Sequence, residues 1–144
     1  MARKSRANNA LIISDTKNRI WNAGLYGRLS VEDGDDTEQN SIGNQKKIGN
    51  HFLSTRADIV LVDTYSDNGY TGMNFERPDF QRMFEDIKSG RINCVIVKDV
   101  SRLGRHFVMT SNLVERIFPE MGVRLICIND GYDSSEPNAD SSAL

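Results

Sequence analysis

The chain is short of cysteine, of basic surplus and of long apolar runs, and each shortage removes a class of function. Its two cysteines, Cys94 and Cys127, lie in separate apolar runs without the paired spacing of a zinc site or a disulfide framework. They read as small core residues of a reduced, cytoplasmic protein. His51 and His106 stand far apart, with no cysteine or carboxylate spacing around them, so no metal is expected. Eighteen Lys and Arg against twenty Asp and Glu give a net charge of −2. A self-sufficient nucleic-acid binder carries a large basic surplus, so any grip on DNA must come mainly from outside these residues. No stretch approaches the length of a membrane span, and Ala10 to Ile13 is too short for a signal-peptide core after the basic Met1 to Arg6. Residues 1–18 read as a flexible N-terminal arm.

What is present is an alternation of strand and helix patterns. The 144 residues are one domain's worth of chain, and 38% hydrophobic with 26% charged residues marks it as globular. Apolar residues from Ile20 to Leu25 lead into a strand ending near Arg28, followed by an acidic loop bent at Gly34. Ser41 to Ser54 can form a helix with Ile42, Ile48 and Phe52 inward, although Gly43 and Gly49 weaken it. Ile59 to Val62 is a continuous apolar run, the pattern of a buried parallel strand, and Asp63 to Glu76 reads as a long polar loop. Pro78 opens a helix with Phe80, Met83, Phe84 and Ile87 on one face. Cys94 to Val97 is a third strand, about Phe107 to Met121 another helix with Leu113, Val114, Ile117 and Phe118 inward, and Val123 to Ile128 a fourth strand. From Asp130 onward the chain is polar and offers no core. The expected fold is α/β, a three-layer arrangement with a mainly parallel central sheet and helices on both faces.

In such a fold the carboxyl ends of the strands share one edge, where ligands bind. Strand one delivers Tyr26, Arg28 and Ser30 there; strand two leads to Asp67 and Arg77; strand three leads to Lys98, Asp99, Ser101, Arg102 and Arg105. Taken singly, each arginine reads as solvated surface charge. Four on one edge beside a serine read as a site for attack on a phosphate, because the guanidinium fork binds phosphate oxygens bidentately and stays charged.

The arrangement resembles the catalytic domain of the serine recombinases, the resolvase/invertase family. Tyr26-Gly27-Arg28-Leu29-Ser30 resembles the family's nucleophile motif. Ser41-Ile42-Gly43-Asn44-Gln45 matches the serine and glutamine of its first helix. Ser66 to Gly72 followed by Arg77-Pro78 resembles the stretch with its active-site aspartate and an arginine, and Val97 to Arg105 resembles its double-arginine motif. One departure is Ser101, where small resolvases carry aspartate; the form here, like the acidic insertion Asp33 to Glu38, is similar to the large serine recombinases of transposons.

The resemblance implies that Ser30 attacks a DNA phosphodiester to leave a 5′-phosphoserine, with no metal, cofactor or ATP. It places Arg28, Arg102 and Arg105 on the scissile phosphate, Arg77 in a supporting contact, Asp67 orienting an arginine, and Gln45 on a backbone or phosphate group. Tyr26 fits a packing role as well as a catalytic one. Residues 19–132 are the expected catalytic domain, and 133–144 a polar tail leading to C-terminal regions. The implied partners are DNA, bound mainly through those further regions, and other copies of the protein in a dimer and a synaptic tetramer, without membrane or small-molecule substrate. Two other readings use the same residues: a receiver-like signalling module with Asp99 as phosphoacceptor and Asp33 or Asp35 on magnesium, and a catalytically silent DNA-bound scaffold.

Overall fold

A computed structural model describes residues 19–29, 40–68, 77–104 and 107–144. Strand β1 (Trp21–Leu29) is followed by helix α1 (Ile42–Ser54), β2 (Ile59–Asn68), α2 (Pro78–Lys88) and β3 (Cys94–Val97). A short 3-10 turn, Val100–Arg102, precedes a composite helix α3. It is α-helical over Phe107–Asn112, widens to a π-turn over Leu113–Ile117 and returns to α over Phe118–Glu120. The wide turn, in which the Phe118 N–H donates to Leu113 O, immediately precedes Pro119, a residue with no N–H for the helical ladder. Strands β4 (Arg124–Cys127) and β5 (Tyr132–Asp133) complete a sheet of order β2-β1-β3-β4-β5. Every pairing is parallel except β4 with β5.

The alternation of side chains along each strand builds two cores. Tyr26, Tyr65, Val95, Val97, Leu125 and Cys127 pack with Met83 and Ile87 of α2 and Val114 and Phe118 of α3. Ala23, Leu25, Ile59, Cys94, Ile96 and Ile126 form the opposite face, against Phe52 and Leu53 of α1. Helices thus cover both faces, as the sequence pattern requires.

Three details differ from the sequence expectations. Strand β2 is an edge strand running on to Asn68, so Val60 is 49% exposed and the polar segment Asp63–Asn68 is strand rather than loop. An edge with one solvated flank accepts those polar residues: Asp63 Oδ2 accepts from Arg82 and Arg91, both at 2.9 Å. The segment after Asp130 does join the fold. Tyr132–Asp133 pairs antiparallel with β4, and Leu144 packs against the larger core. Helix α1 buries Gln45 and Gly49 most deeply, with Ile42 and Ile48 half-buried, although Phe52 packs against the core as expected.

Gly49 is required by close approach. A Cβ there would lie 2.5 Å from Leu25 Cδ1 and 3.1 Å from its Cγ, in a leucine already buried against the sheet. At Gly43 the nearest such atom is 4.0 Å away. Alanine gains at most about 1 kcal/mol of helix propensity over glycine, whereas overpacking a core costs roughly 1–3 kcal/mol. Gly43→Ala is therefore expected to raise the urea midpoint and Gly49→Ala to lower it; equal shifts in one direction would refute the packing assignment.

Strand β5 is fastened by Asp133, which accepts from Arg124 Nε at 3.0 Å and Nη2 at 2.6 Å, while Arg124 Nη1 reaches Asp58 at 3.1 Å. Burial alone raises the Asp133 carboxyl, but the bonds from Arg124 and Ser135 hold it below the usual carboxylate range. The stabilisation is complete above the unfolded carboxylate's pKa of about 4 and is lost as pH falls through the lower folded value. Asp133→Asn is expected to cost about 3 kcal/mol at neutral pH, as for a broken buried pair. In urea titrations the gap to the unsubstituted protein should shrink below about pH 4; a gap constant down to about pH 2 would contradict the assignment.

Candidate active site

The parallel pairing of β1, β2 and β3 places their carboxyl ends on one edge, with Arg28 opposite Asp67 in register. Arg28 is the largest side chain with no exposed surface. Its Nη2 donates to Ser101 O at 2.7 Å and its Nε to Arg102 O at 3.2 Å. Arg102, 5% exposed, returns the contact by donating from Nη1 to Arg28 O at 2.7 Å. The two arginines therefore interlock through each other's backbone carbonyls, whose dipoles offset the like charges.

Gln45 completes the end of β1. Pairing with β3 stops at Leu25, so the last residues of β1 outrun that neighbour. The Gln45 amide takes the place of a strand: Oε1 accepts from Arg28 N at 3.1 Å and Nε2 donates to Arg28 O at 3.0 Å. Nε2 also donates to Asn40 O at 2.7 Å. Of the two expectations for Gln45, the backbone contact is the one observed. Gly27 leaves room for it, since a Cβ there would stand 3.0 Å from Gln45 Oε1.

Asp67 is used differently from the expectation. Its carboxylate accepts from Tyr26 Oη at 2.8 Å and from the N–H groups of Asp79 and Phe80, both at 3.0 Å, at the start of α2. Among the described residues it contacts no arginine directly. A helix N-terminus presents unpaired N–H groups and a positive dipole end, and Asp67 is in reach of both. Arg77 Nη1 lies 3.5 Å from Tyr26 Oη, at the limit of a hydrogen bond, and the guanidinium stacks 4.1 Å above the Phe80 ring. Burial, which outweighs the opposing pull of Arg77, pushes the Tyr26 phenol well above its usual range, with Asp67 adding to the rise. Tyr26 is thus a neutral donor wedged edge-on against Phe80, at 5.4 Å between ring centroids and 74°.

Arg102 ends the 3-10 turn, separate from α3, which starts at Phe107. Ser30 and Arg105 lie outside the described residues, as do Asp33 and Asp35. The structure gives a role to a residue that the sequence reading placed at the edge without one. Lys98, 8% exposed, donates from Nζ to Asn40 Oδ1 at 2.7 Å, so Lys98 and Gln45 both hold Asn40. The signal was a lysine directly after the buried Cys94–Val97 run. Asp99, the acceptor required by the receiver reading, instead caps the 3-10 turn and receives the Ser101 hydroxyl.

Chemically, the edge presents buried cations without a carboxylate set for metal binding: among the described residues no cluster of three His, Cys, Asp or Glu is placed to hold an ion. No described helix is long and apolar enough to cross a membrane.

Comparison with known proteins agrees with this geometry. The model of the resolvase N-terminal domain matches residues 23–143. A candidate DNA recombinase of Bacillus subtilis (strain 168) is 34% identical over 111 residues, covering 77% of this chain and 21% of that protein's length. The crystal structure of the N-terminal catalytic domain of TP901-1 integrase superposes with a TM-score of 0.70 at 28% identity, covering 81% of this chain and 83% of that one. A resolvase family site-specific recombinase from Streptococcus pneumoniae gives 0.64 at 33% identity, covering 82% and 78%. Interlocked arginines at the carboxyl edge of a parallel sheet, and a family match running through nearly all of the described fold, lead to one conclusion: this chain belongs to the resolvase family of serine recombinases and carries its N-terminal, catalytic-type domain.

Proposed function

We propose that this domain is the catalytic part of a site-specific DNA recombinase in which Ser30 is the nucleophile. The Ser30 oxygen bonds to the scissile phosphorus, the bond from phosphorus to the 3′ oxygen breaks, and the serine proton leaves as the 3′ oxygen gains one. The 5′-phosphoserine keeps the phosphate ester, so a 3′ hydroxyl from another strand can reverse the step without ATP. The observation that carries this reading is the Arg28–Arg102 interlock, which fixes two guanidinium groups at the edge where the chain continues from Leu29 to Ser30. Fixed cations stabilise charge developing on a phosphate without reorganising during the reaction.

Arg28, Arg102 and Arg105 act on the scissile phosphate, with Arg77 in support. Asp67 works by holding Tyr26 and the start of α2, and Gln45 by holding the backbone at Arg28. No metal or cofactor takes part in this scheme. The natural setting is cytoplasmic DNA, with excision or integration of a transposon as the outcome. Dimer and synaptic tetramer contacts, and most of the grip on DNA, belong to further regions of a longer protein; the chain spans about a fifth of the Bacillus relative's length.

In the full-length protein, Ser30→Ala is expected to abolish strand cleavage of a suicide DNA substrate while leaving site binding nearly intact. Arg102→Ala should cost about 3 kcal/mol of transition-state stabilisation, by analogy with loss of one oxyanion-hole donor. Covalent protein–DNA adduct formed by the Ser30→Ala protein would end the nucleophile assignment. Residues 1–144 alone, with net charge −2, should show negligible DNA affinity in gel shifts at physiological salt. Tight site-specific binding by this segment would overturn that division of labour.

A further inference from the structure

The 3-10 turn after β3 contains a polar chain that the scheme above leaves without a role. Asp99 caps the turn, accepting from Ser101 N at 3.1 Å, and its Oδ1 also receives the Ser101 hydroxyl proton. Val100 N donates to Asp130 Oδ2 at 2.8 Å, so the turn is fastened on a second side. A serine hydroxyl has one proton to give and two lone pairs to receive. With the proton committed to Asp99, the oxygen faces Arg102 and accepts from Nη2 at 2.9 Å and Nε at 3.2 Å. The direct approach of Arg102 Nε to Asp99 Oδ1 is longer, at 3.4 Å. The hydroxyl therefore stands between carboxylate and guanidinium.

We propose that Asp99 and Ser101 are positioning residues for Arg102: the Asp99 carboxylate, acting through the Ser101 hydroxyl, fixes the Arg102 fork for the scissile phosphate. The inference rests on the reading of Arg102 as a phosphate-binding group. One edge of the fork, Nε and Nη2, is held by Ser101 Oγ, and Nη1 is held by Arg28 O. A long, flexible side chain is thus aimed before substrate arrives, the condition for fixed cations to act in a transition state. Asp99 polarises the hydroxyl that holds that edge, and its own direct contact with the fork is the longer one, 3.4 Å from Oδ1 to Nε.

The test is single-turnover cleavage by the full-length protein on a nicked suicide duplex of the site it cuts. DNA half-saturation and thermal midpoint are measured alongside. Ser101→Ala and Asp99→Asn are each expected to slow cleavage about 10- to 100-fold, the effect of losing a charge-assisted hydrogen bond, with half-saturation unchanged within about twofold. Asparagine caps a helical turn as well as aspartate, so Asp99→Asn separates the charge from the cap. Ser101→Thr keeps the hydroxyl and should recover the rate to within about threefold, and the double variant should be no slower than the slower single one. Cleavage at the unsubstituted rate by Ser101→Ala or Asp99→Asn overturns the proposal. So does a rate loss that follows a fall in thermal midpoint and is not rescued by Ser101→Thr. Arg102→Ala tells the two levels apart. If it is inactive while Ser101→Ala is normal, only the positioning role fails; if it cleaves normally, the phosphate-binding reading of Arg102 falls with it.

Discussion

A guanidinium with no exposed surface is the constraint around which this domain is arranged. Removing an ion from water costs several kcal/mol, and Arg28 must recover that inside the protein. It does so on the carbonyls of Ser101 and Arg102, charge-assisted bonds worth about 1.5–3 kcal/mol each. Those carbonyls are in reach because β3 lies directly beside β1 and stops early, letting the next turn fold back over the end of β1. Strand order, the short β3 and the 3-10 turn are therefore parts of one solution. The return bond from Arg102 to Arg28 O makes the contact mutual, so neither arginine can move without uncovering the other.

Around this pair the remaining polar residues divide by face. Tyr26, Asp67 and Arg77 join β1 and β2 to the start of α2. Gln45, Asn40 and Lys98 join α1, the end of β1 and the end of β3. Each group uses a side chain to complete backbone that the sheet or a helix end leaves open. Charge at the edge is thereby held by elements from both layers rather than by a single loop.

Much of this was legible in the residues. The apolar residues leading into Arg28 marked β1, and Arg28 near the end of β1 with Arg102 after β3 located the edge. The apolar run Ile59 to Val62 looks the same in an edge strand as in a central one, because the pattern records local burial and not the number of neighbours. Gly49 read as a weakness in α1 because propensity is a local quantity, while the need for it lies in Leu25, far along the chain. Strand β5 rests on the Arg124–Asp133 pair, and nothing near Tyr132 announces it. Asp67 was expected to orient an arginine, but its carboxylate serves a helix end, and sequence does not distinguish that use from an arginine contact.

The way α2 is tied to β2 has a consequence for variation within such domains. Asp67 bonds the N–H groups of Asp79 and Phe80, and Asp79 Oδ2 accepts from Ser66 N at 2.9 Å, so strand end and helix start are laced together directly. The chain between Asn68 and Arg77 closes a ring whose two ends are already fixed. Closing such a ring costs only about 0.6 kcal/mol more for each doubling of its length. A change in the length of that connection therefore costs little while these bonds keep the strand end and helix start in place.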